Sequence, residues 1–527
     1  MNDTIRVIHS QIGYDTGRTK KAYVAGTLQN GSFRLTNAIT KQTVLEGPVC
    51  NWGEKWNENW HSIDLTPADL PGEYTLEIFE NGELAAKAES PVHIGRDILW
   101  NQCWHAISFA QLDVRAANCY PVGGWRDCGS ELQEVSSHII MLDALCDLWT
   151  DARLPEFERE HLLQHILRGA DYILCCQQEH GGFVHEVKHN PSVSFGNCAN
   201  AVAVLARVAA LVKHACPEKA VQYLHNARRG YDFAVTHDFF KEQTENESLQ
   251  ITHGAPEGMD RPPNALRTRD LLSLLDATLS LHNAGVPGLE DKAIALTEEI
   301  FSRQIPEEKA EYGLYGHFYT YPGYEFSEKA NYHCGAWDLP YKNYNQGAHK
   351  PYWVLPLFEM TTLFPRHPRV SEWKKALHSF AYGFFLPACG HSPFGILPAG
   401  VYTGQGVLHF SGWYHGHAKI YGYTAVLAAR FYKEWNDLAF LELAEANLQW
   451  VAGLNVQNVS LAVGIGDRSV KDWDALRGTI VNGFDASKQF SIAPVSKETD
   501  LPTYLDDEGG IHHCAGFVAG LCAMGTL

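Results

Sequence analysis

Positive charge is scarce in this chain: 42 lysines and arginines stand against 61 aspartates and glutamates, a formal net charge of −19 over 527 residues. Binding a phosphate backbone takes a basic face, so nucleic acid is not an expected partner. The same deficit disfavours an anionic membrane surface. Long apolar runs are lacking too, none approaching the roughly 20 residues that span a bilayer. The opening MNDTIRVIHSQIGYD has neither the basic start nor the apolar stretch of a signal peptide. The expectation is a cytoplasmic protein with no membrane partner. The thirteen cysteines contain no CxxC pair that would announce a zinc ribbon. Cys146, Cys175 and Cys522 lie in apolar helical patterns, where a thiol behaves as a small buried hydrophobe, so reduced, structural cysteines are expected.

What is present is an ordinary soluble balance, 45% hydrophobic and 20% charged residues, in a chain long enough for two or three domains. The first ninety-odd residues read as strands. IRVIHSQIGY, KAYVAG, SFRLTN and GEYTLEIFE alternate β-branched or aromatic residues with polar ones, and Asn30-Gly31 and Pro71-Gly72 supply turns. Short, regularly spaced strands predict an antiparallel sandwich over 1–95.

Near residue 96 the apolar spacing becomes helical and stays so over 96–527. HLLQHILRGADYILCC sets Leu162, Leu163, Ile166, Leu167, Ala170, Ile173 and Leu174 at helical intervals. The pattern recurs in ANAVAVLARVAALVKHA, RDLLSLLDATLSLH, EWKKALHSFAYGFF, YTAVLAARFYKEW and FLELAEANLQWVAGL. Between these runs lie long loops rich in Gly, Pro, His and aromatic residues, among them CYPVGGWRDCGSE and HFSGWYHGHAKIYGY. Loops of such length are usually functional or disordered, and their aromatic content argues against disorder. Helix pairs alternating with such loops predict a toroid with its loops gathered at one mouth.

The composition suits a sugar cleft: aromatic rings stack on pyranose faces, while carboxylates, Asn and His bond the hydroxyls. The chain holds 14 tryptophans, 23 tyrosines and 26 histidines. Most are core residues, but Trp125, Trp337 and Trp413 stand in Gly-rich loops and are expected to face the mouth.

Several segments, in order, resemble the family 9 glycoside hydrolases, cellulase-like enzymes that often carry an N-terminal immunoglobulin-like domain. IRVIHSQIGY at 5–14 resembles the family's IRVNQVGY strand, and Pro71-Gly72-Glu73-Tyr74-Thr75-Leu76 its PG-x-Y-x-L strand. GGWRDCGSE at 123–131 resembles the GGWyDAGD loop, and GGFVHEV at 181–187 the GGVYHKV segment. Residues 445–466 resemble a helix ending in GLNP…SYVVGFG, and DDEGGIHHCAGFVAGL at 506–521 resembles NEVAIDYNAALVGAL. The resemblance spans nearly the whole chain and implies an immunoglobulin-like β-sandwich over 1–95 followed by an (α/α)6 barrel over 96–527.

It also implies inverting hydrolysis, in which a protonated carboxyl serves the leaving oxygen and an opposed carboxylate, roughly 6.5–9.5 Å away, deprotonates water. By position Glu508 is the general acid, and Asp127, the first Asp of DAGD, is the base or positions the water. The second Asp of that motif, the family's principal base, is Ser130 here. A serine hydroxyl cannot take that role at neutral pH. Asp127 alone, recruitment of Glu131 or Glu134, and loss of hydrolysis all stay open. Trp125, Arg126, His185, Trp413, His415, His417 and His512 complete the expected substrate-binding set. A zinc site is not expected, no HxxxH pair being read on a helix. Calcium occurs in some members of the family, so structural calcium is the one cofactor the resemblance allows, though no oxygen-ligand loop is evident. The expected substrate is a short imported β-linked oligosaccharide attacked from a chain end, with insertions near 240–265 and 330–350 closing one end of the cleft. Cello-oligosaccharides or β-glucosides come first, amino-sugar oligomers second. The rivals are a uronate lyase on a similar toroid and a glycan-binding protein that has lost its base.

Overall fold

The computed structural model describes residues 5–117, 119, 123–239, 266, 268–310, 313–318, 354–398, 400–402, 407–410, 418–471, 476–485 and 504–527. Trp337, Trp413, His415, His417 and both insertions lie outside the described residues.

The N-terminal strands form two facing sheets. One has the order β1 (Arg6–Ile8), β3 (Lys21–Ala25), β7 (Glu58–Asp64), β6 (Cys50–Lys55). The other runs β2 (Tyr14–Asp15), β10 (Val92–Gly95), β8 (Gly72–Glu80), β4 (Gly31–Asn37), β5 (Thr43–Pro48), with β9 (Glu83–Lys87) also on β8. Alternation fixes the facing: Tyr74, Leu76 and Ile78 of β8 and Phe33 and Leu35 of β4 point inward and join Val24, Ile63 and Val92 in one core. One pair departs from the antiparallel expectation, β2 lying parallel to β10. The reason is local. β10 leads straight into the first helix, and beside it Asp15 of β2 accepts the N–H groups of Ile98 and Leu99 at that helix's start. An acidic side chain there satisfies orphan donors and suits the positive end of the dipole.

The remaining chain is a ring of paired helices. An opening helix runs through α1 (Ile98–His105), a π-helical turn (Ala106–Ala110) and α2 (Gln111–Ala116). After it come α3 (Val135–Thr150), α4 (Arg159–Cys175), α5 (Phe195–Val212), α6 (Pro217–Thr236), α7 (Thr268–Asn283) and α8 (Glu290–Ser302). Then follow α9 (Leu355–Leu363), α10 (Val370–Ser379), α11 (Leu386–Cys389), α12 (Ala418–Trp435), α13 (Leu438–Val451) and α14 (Ile511–Gly525). Inner helices pack side by side, α12 on α14, α14 on α3, α3 on α5, α5 on α7. Burial separates the two rings: α3, α5, α7, α12 and α14 are buried nearly all round, whereas α4, α6, α8 and α10 bury one stripe. The 18-residue apolar helix Phe195–Val212 is one of the inner ones. The outer position of α4 also corrects one reading: Cys175 is exposed on its solvent face, and the neighbouring Cys176 takes the buried place. No disulfide joins the described cysteines.

Sandwich and ring are stitched together by residues 9–13. Gln11 exchanges main-chain bonds with Ala452 (2.8 Å) and Asp467 (2.9 Å), and Asn458 Oδ1 accepts from His9 N–H and the Gln11 amide. Gly453 (φ 112°) and Gly466 (φ 95°) permit this approach, since a Cβ on either would sit 2.5–2.8 Å from Gln11.

Candidate active site

Residues 123–134 form a loop laid over α3 and α4. Gly124 takes φ 73° where a Cβ would meet His138 Nε2 at 2.6 Å, so the chain turns there only as glycine. Trp125 N–H donates to His138 Nε2 (2.9 Å), and His138 Nδ1–H donates to the Glu134 carbonyl (2.8 Å). Burial lowers His138 to a pKa of about 4, so it stays a neutral spacer. Beneath the loop lies the fully buried guanidinium of Arg115, held by the Gln111 side chain, the Cys128 carbonyl (2.6 Å) and Thr479 Oγ1 (3.1 Å).

This architecture corrects the reading of Trp125. Its ring is 0% exposed, stacks on His138 with centroids 5.3 Å apart and donates Nε1–H to His165 Nδ1 (3.3 Å). No face is left for a sugar. A Gly-rich neighbourhood made the residue look like loop surface, but those glycines let the chain fold back and bury it.

Asp127 and Glu508 reach the same place from opposite ends of the toroid's sequence. β11 (Val481–Asp485) and β12 (Tyr504–Gly509) form a hairpin ending beside the loop. Just beyond Glu508, Gly510 N–H donates to the Ile480 carbonyl and Ile511 N–H to the Asp127 carbonyl (2.8 Å). Glu508 N–H donates to Asp506 Oδ1 (3.1 Å), and the Asn482 amide holds the other oxygen (2.9 Å). Glu508 is half-buried, and its charge helps raise the neighbouring Cys128 thiol, whose burial is the larger cause.

Asp127 is 4% exposed, and among the described residues its Oδ1 has no hydrogen-bond partner. Burial, and next the negative charge of Glu134, push its pKa up to about 7. Glu134 shifts the other way. Burial opposes its ionisation, but a 3.1 Å bond from His185 Nε2, that ring's charge and the Lys419 ammonium together hold its carboxyl below the ordinary value. His185 is raised: burial disfavours its cation, and Glu134 more than compensates. Lys419, buried at the start of α12, is lowered by burial to about 8 while Glu134 holds it up. His512 lies 3.4 Å from Ser137 Oγ, and its ring packs on His513, 4.0 Å between centroids. Arg126 is half-buried, with its N–H bonded to the Arg115 carbonyl (3.2 Å) and its Nε without a partner among the described residues.

Of the residues read from sequence, Asp127, Glu508, His185 and His512 border this one site, and Arg126 lies in its loop. Lys419 went unnoticed, having no motif around it. Glu134 carried a signal, an acid at the N-cap of an inner helix seven residues after Asp127.

α12 and α14, which carry Lys419 and follow Glu508, touch backbone to backbone. A Cβ on Gly422 would lie 2.0 Å from the Gly516 carbonyl, and one on Gly516 2.4 Å from the Lys419 carbonyl.

One group of described residues has metal-ligand spacing: Asp113, His161 and His165, with ligand atoms within 4.8 Å of each other. His161 and His165 are an HxxxH pair on α4, which corrects the statement that the chain has none. Hydrogen bonding accounts for the cluster without a metal. Trp125 Nε1–H points at His165 Nδ1, so the single proton of this neutral ring is on Nε2 and donates to Asp113 (3.1 Å). Burial, the largest influence, lowers His165 to about 4 and keeps it neutral. Metal-binding imidazoles instead donate from the nitrogen remote from the metal.

Comparison with known proteins agrees with this architecture. Residues 2–83 match the family model of the cellulase N-terminal ig-like domain. No curated protein matches the chain by sequence. A metagenome-derived glycoside hydrolase family 9 endoglucanase superposes with TM-score 0.67 at 15% identity over 99% of both chains. A Bacteroides ovatus GH9 protein gives 0.64 at 16%, again over 99% of both. AaCel9A in complex with a cellobiose-like isofagomine gives 0.60 at 16%, over 99% of this chain and 100% of its own. The fold is therefore an immunoglobulin-like β-sandwich on an (α/α)6 toroid, in the arrangement of the family 9 glycoside hydrolases.

Proposed function

We propose that the protein is an inverting glycoside hydrolase of the family 9 type acting on short β-linked oligosaccharides from a chain end, with β-glucosides such as cello-oligosaccharides first and amino-sugar oligomers second. The observation that carries this reading is the main-chain bond from Ile511 to Asp127, which ties the loop bearing a buried, open-ended carboxylate to the hairpin bearing Glu508. Two carboxyls brought together from distant segments are what inverting hydrolysis requires. The AaCel9A complex favours a disaccharide-sized β-glucoside. In this reading Glu508 protonates the leaving oxygen, and Asp127 Oδ1, without a partner among the described residues, orients the attacking water. His185 and His512 bond sugar hydroxyls. The reading includes a cytoplasmic location and no catalytic cofactor, with structural calcium the one ion it allows.

The test is reducing-sugar release from a panel of β-linked di- to hexasaccharides, with the first-formed anomer followed by NMR. Initial release of the α-anomer, one sugar at a time, is expected. Glu508→Gln should abolish turnover of natural disaccharides yet spare substrates with an activated aryl leaving group, which need little protonation; the acid's contribution is typically about 10²–10⁴-fold. Full activity of Glu508→Gln on a disaccharide would remove the mechanism. Absorbance near 235 nm, which marks an eliminated uronate, would favour a lyase instead. Binding without release would favour a glycan-binding protein that has lost its base.

A further inference from the structure

We infer that Glu134 is the carboxylate that draws the proton from the attacking water, taking over from the position that Ser130 has vacated, while Asp127 beside it holds that water in place. The inference rests on the hydrolase reading above and adds the identity of its base.

The placement carries it. The Ser130 hydroxyl is engaged by the Cys128 thiol (3.0 Å) and by Leu132 N–H (3.2 Å), so the turn at 130–132 is built around a serine. That turn sends Glu131 outward, where it is exposed. It brings the chain back through the Asp127 N–H bond to the Leu132 carbonyl (2.9 Å), which sets Glu134 near enough to Asp127 for its charge to act on that carboxyl. Glu186, the other acid nearby, is 2% exposed and already accepts Gln133 N–H at 3.0 Å. Glu134 alone of these combines a charge that acts on Asp127 with a side chain 37% exposed. Its Oε1 accepts one bond from His185, and Oε2 a long one from Ser136 (3.4 Å). A carboxylate has about four acceptor positions, so both oxygens can still take a water proton. The surroundings split the pair as such work demands: Glu134 is kept ionised by His185 and Lys419, while Asp127 is driven toward its protonated form.

In the step so assigned, the water oxygen bonds to the anomeric carbon on the face opposite the leaving group, and its proton passes to Glu134. The glycosidic C–O bond breaks, and the leaving oxygen takes the Glu508 proton. Glu134 ends protonated and Glu508 ionised, and exchange with solvent resets both.

The experiment uses the full chain and the aryl β-glycoside that the wild type turns over fastest. Glu134→Ala should lose roughly 10²–10⁴-fold in kcat. Added sodium azide, an anion that attacks without a base, should restore turnover and give the α-glycosyl azide. Glu134→Gln, close to isosteric, should show the same loss with wild-type circular dichroism, which separates lost chemistry from lost folding. Near-wild-type turnover by Glu134→Ala overturns the inference, as does a loss that azide does not rescue. Wild-type turnover of the same glycoside reads the underlying hydrolase assignment separately: an inert wild type removes both, and an active wild type with an active Glu134→Ala removes this inference alone.

Discussion

Ile511 N–H donates to the Asp127 carbonyl across a sequence gap of nearly four hundred residues, at 2.8 Å. Both partners are buried, and the bond is main-chain to main-chain, so no substitution of either side chain short of proline at 511 deletes it directly. It closes the ring at the joint between α14 and the loop over α3. Glu508 and Asp127 are therefore positioned by backbone, whereas Glu134 and His185 meet through their side chains and the Lys419 charge acts on Glu134. Substitutions among those three should alter charge and reactivity at the site more than its shape.

Trp125→Ala is expected to act on stability. A fully buried aromatic truncated to alanine costs about 3–5 kcal/mol, and here the His165 bond and the His138 stack go with it. Urea denaturation should show the midpoint falling with little change in slope. A side chain that served only to stack on sugar would leave stability within about 0.5 kcal/mol of wild type and raise KM. That result would return Trp125 to the cleft.

Asp127→Asn should stabilise the protein in a pH-dependent way. The folded chain holds the Asp127 proton up to about pH 7, whereas the unfolded chain releases it near the ordinary 3.8. Stability from this group is therefore full below the unfolded value and is lost as the pH rises through the folded one. Asparagine cannot ionise and escapes that loss. The two proteins should unfold nearly alike at pH 4, and the variant should gain on the order of 4 kcal/mol by pH 8, each pH unit between the unfolded and folded values being worth about 1.4 kcal/mol. Denaturation curves at pH 4, 6 and 8 check this. A difference independent of pH would mean that Asp127 ionises normally.

Much of the fold was legible because it follows from periodicity. Alternation in SFRLTN and GEYTLEIFE located β4 and β8, and helical spacing located α4, α5 and α12. The direction of β2 was not legible, since it depends on Asp15 reaching the start of α1 rather than on any local pattern. Nor was the depth of Trp125, because glycine marks a turn without saying whether it runs over the surface or folds a side chain under it. Glu508 and Asp127 stood out through motifs with defined neighbours. Lys419 did not: in AKIYGYTAV it looks like an exposed helical lysine, and only the close approach of α14 at Gly516 puts it inside.

Ser130→Asp restores a carboxylate where the family keeps its usual base, and the result depends on what now does that work. The turn should survive, because aspartate can accept the Leu132 N–H that the serine hydroxyl now takes. Its charge would join Asp127 and Glu134 in a site where one carboxyl is already pushed up by the other. Like charges at close range raise each other's pKa. If Glu134 is the base, it then needs a higher pH to ionise. The acid limb of the kcat/KM profile should move upward, with activity several-fold lower at pH 6 and recovering by pH 8. If instead the base position is vacant and Asp127 labours alone, the new carboxylate should raise activity at pH 6 without moving the limb. The measurement is the full pH profile of wild type and variant on one aryl β-glycoside, with melting curves at each pH to confirm that both stay folded. A faster variant with an unmoved limb would take the base role away from Glu134.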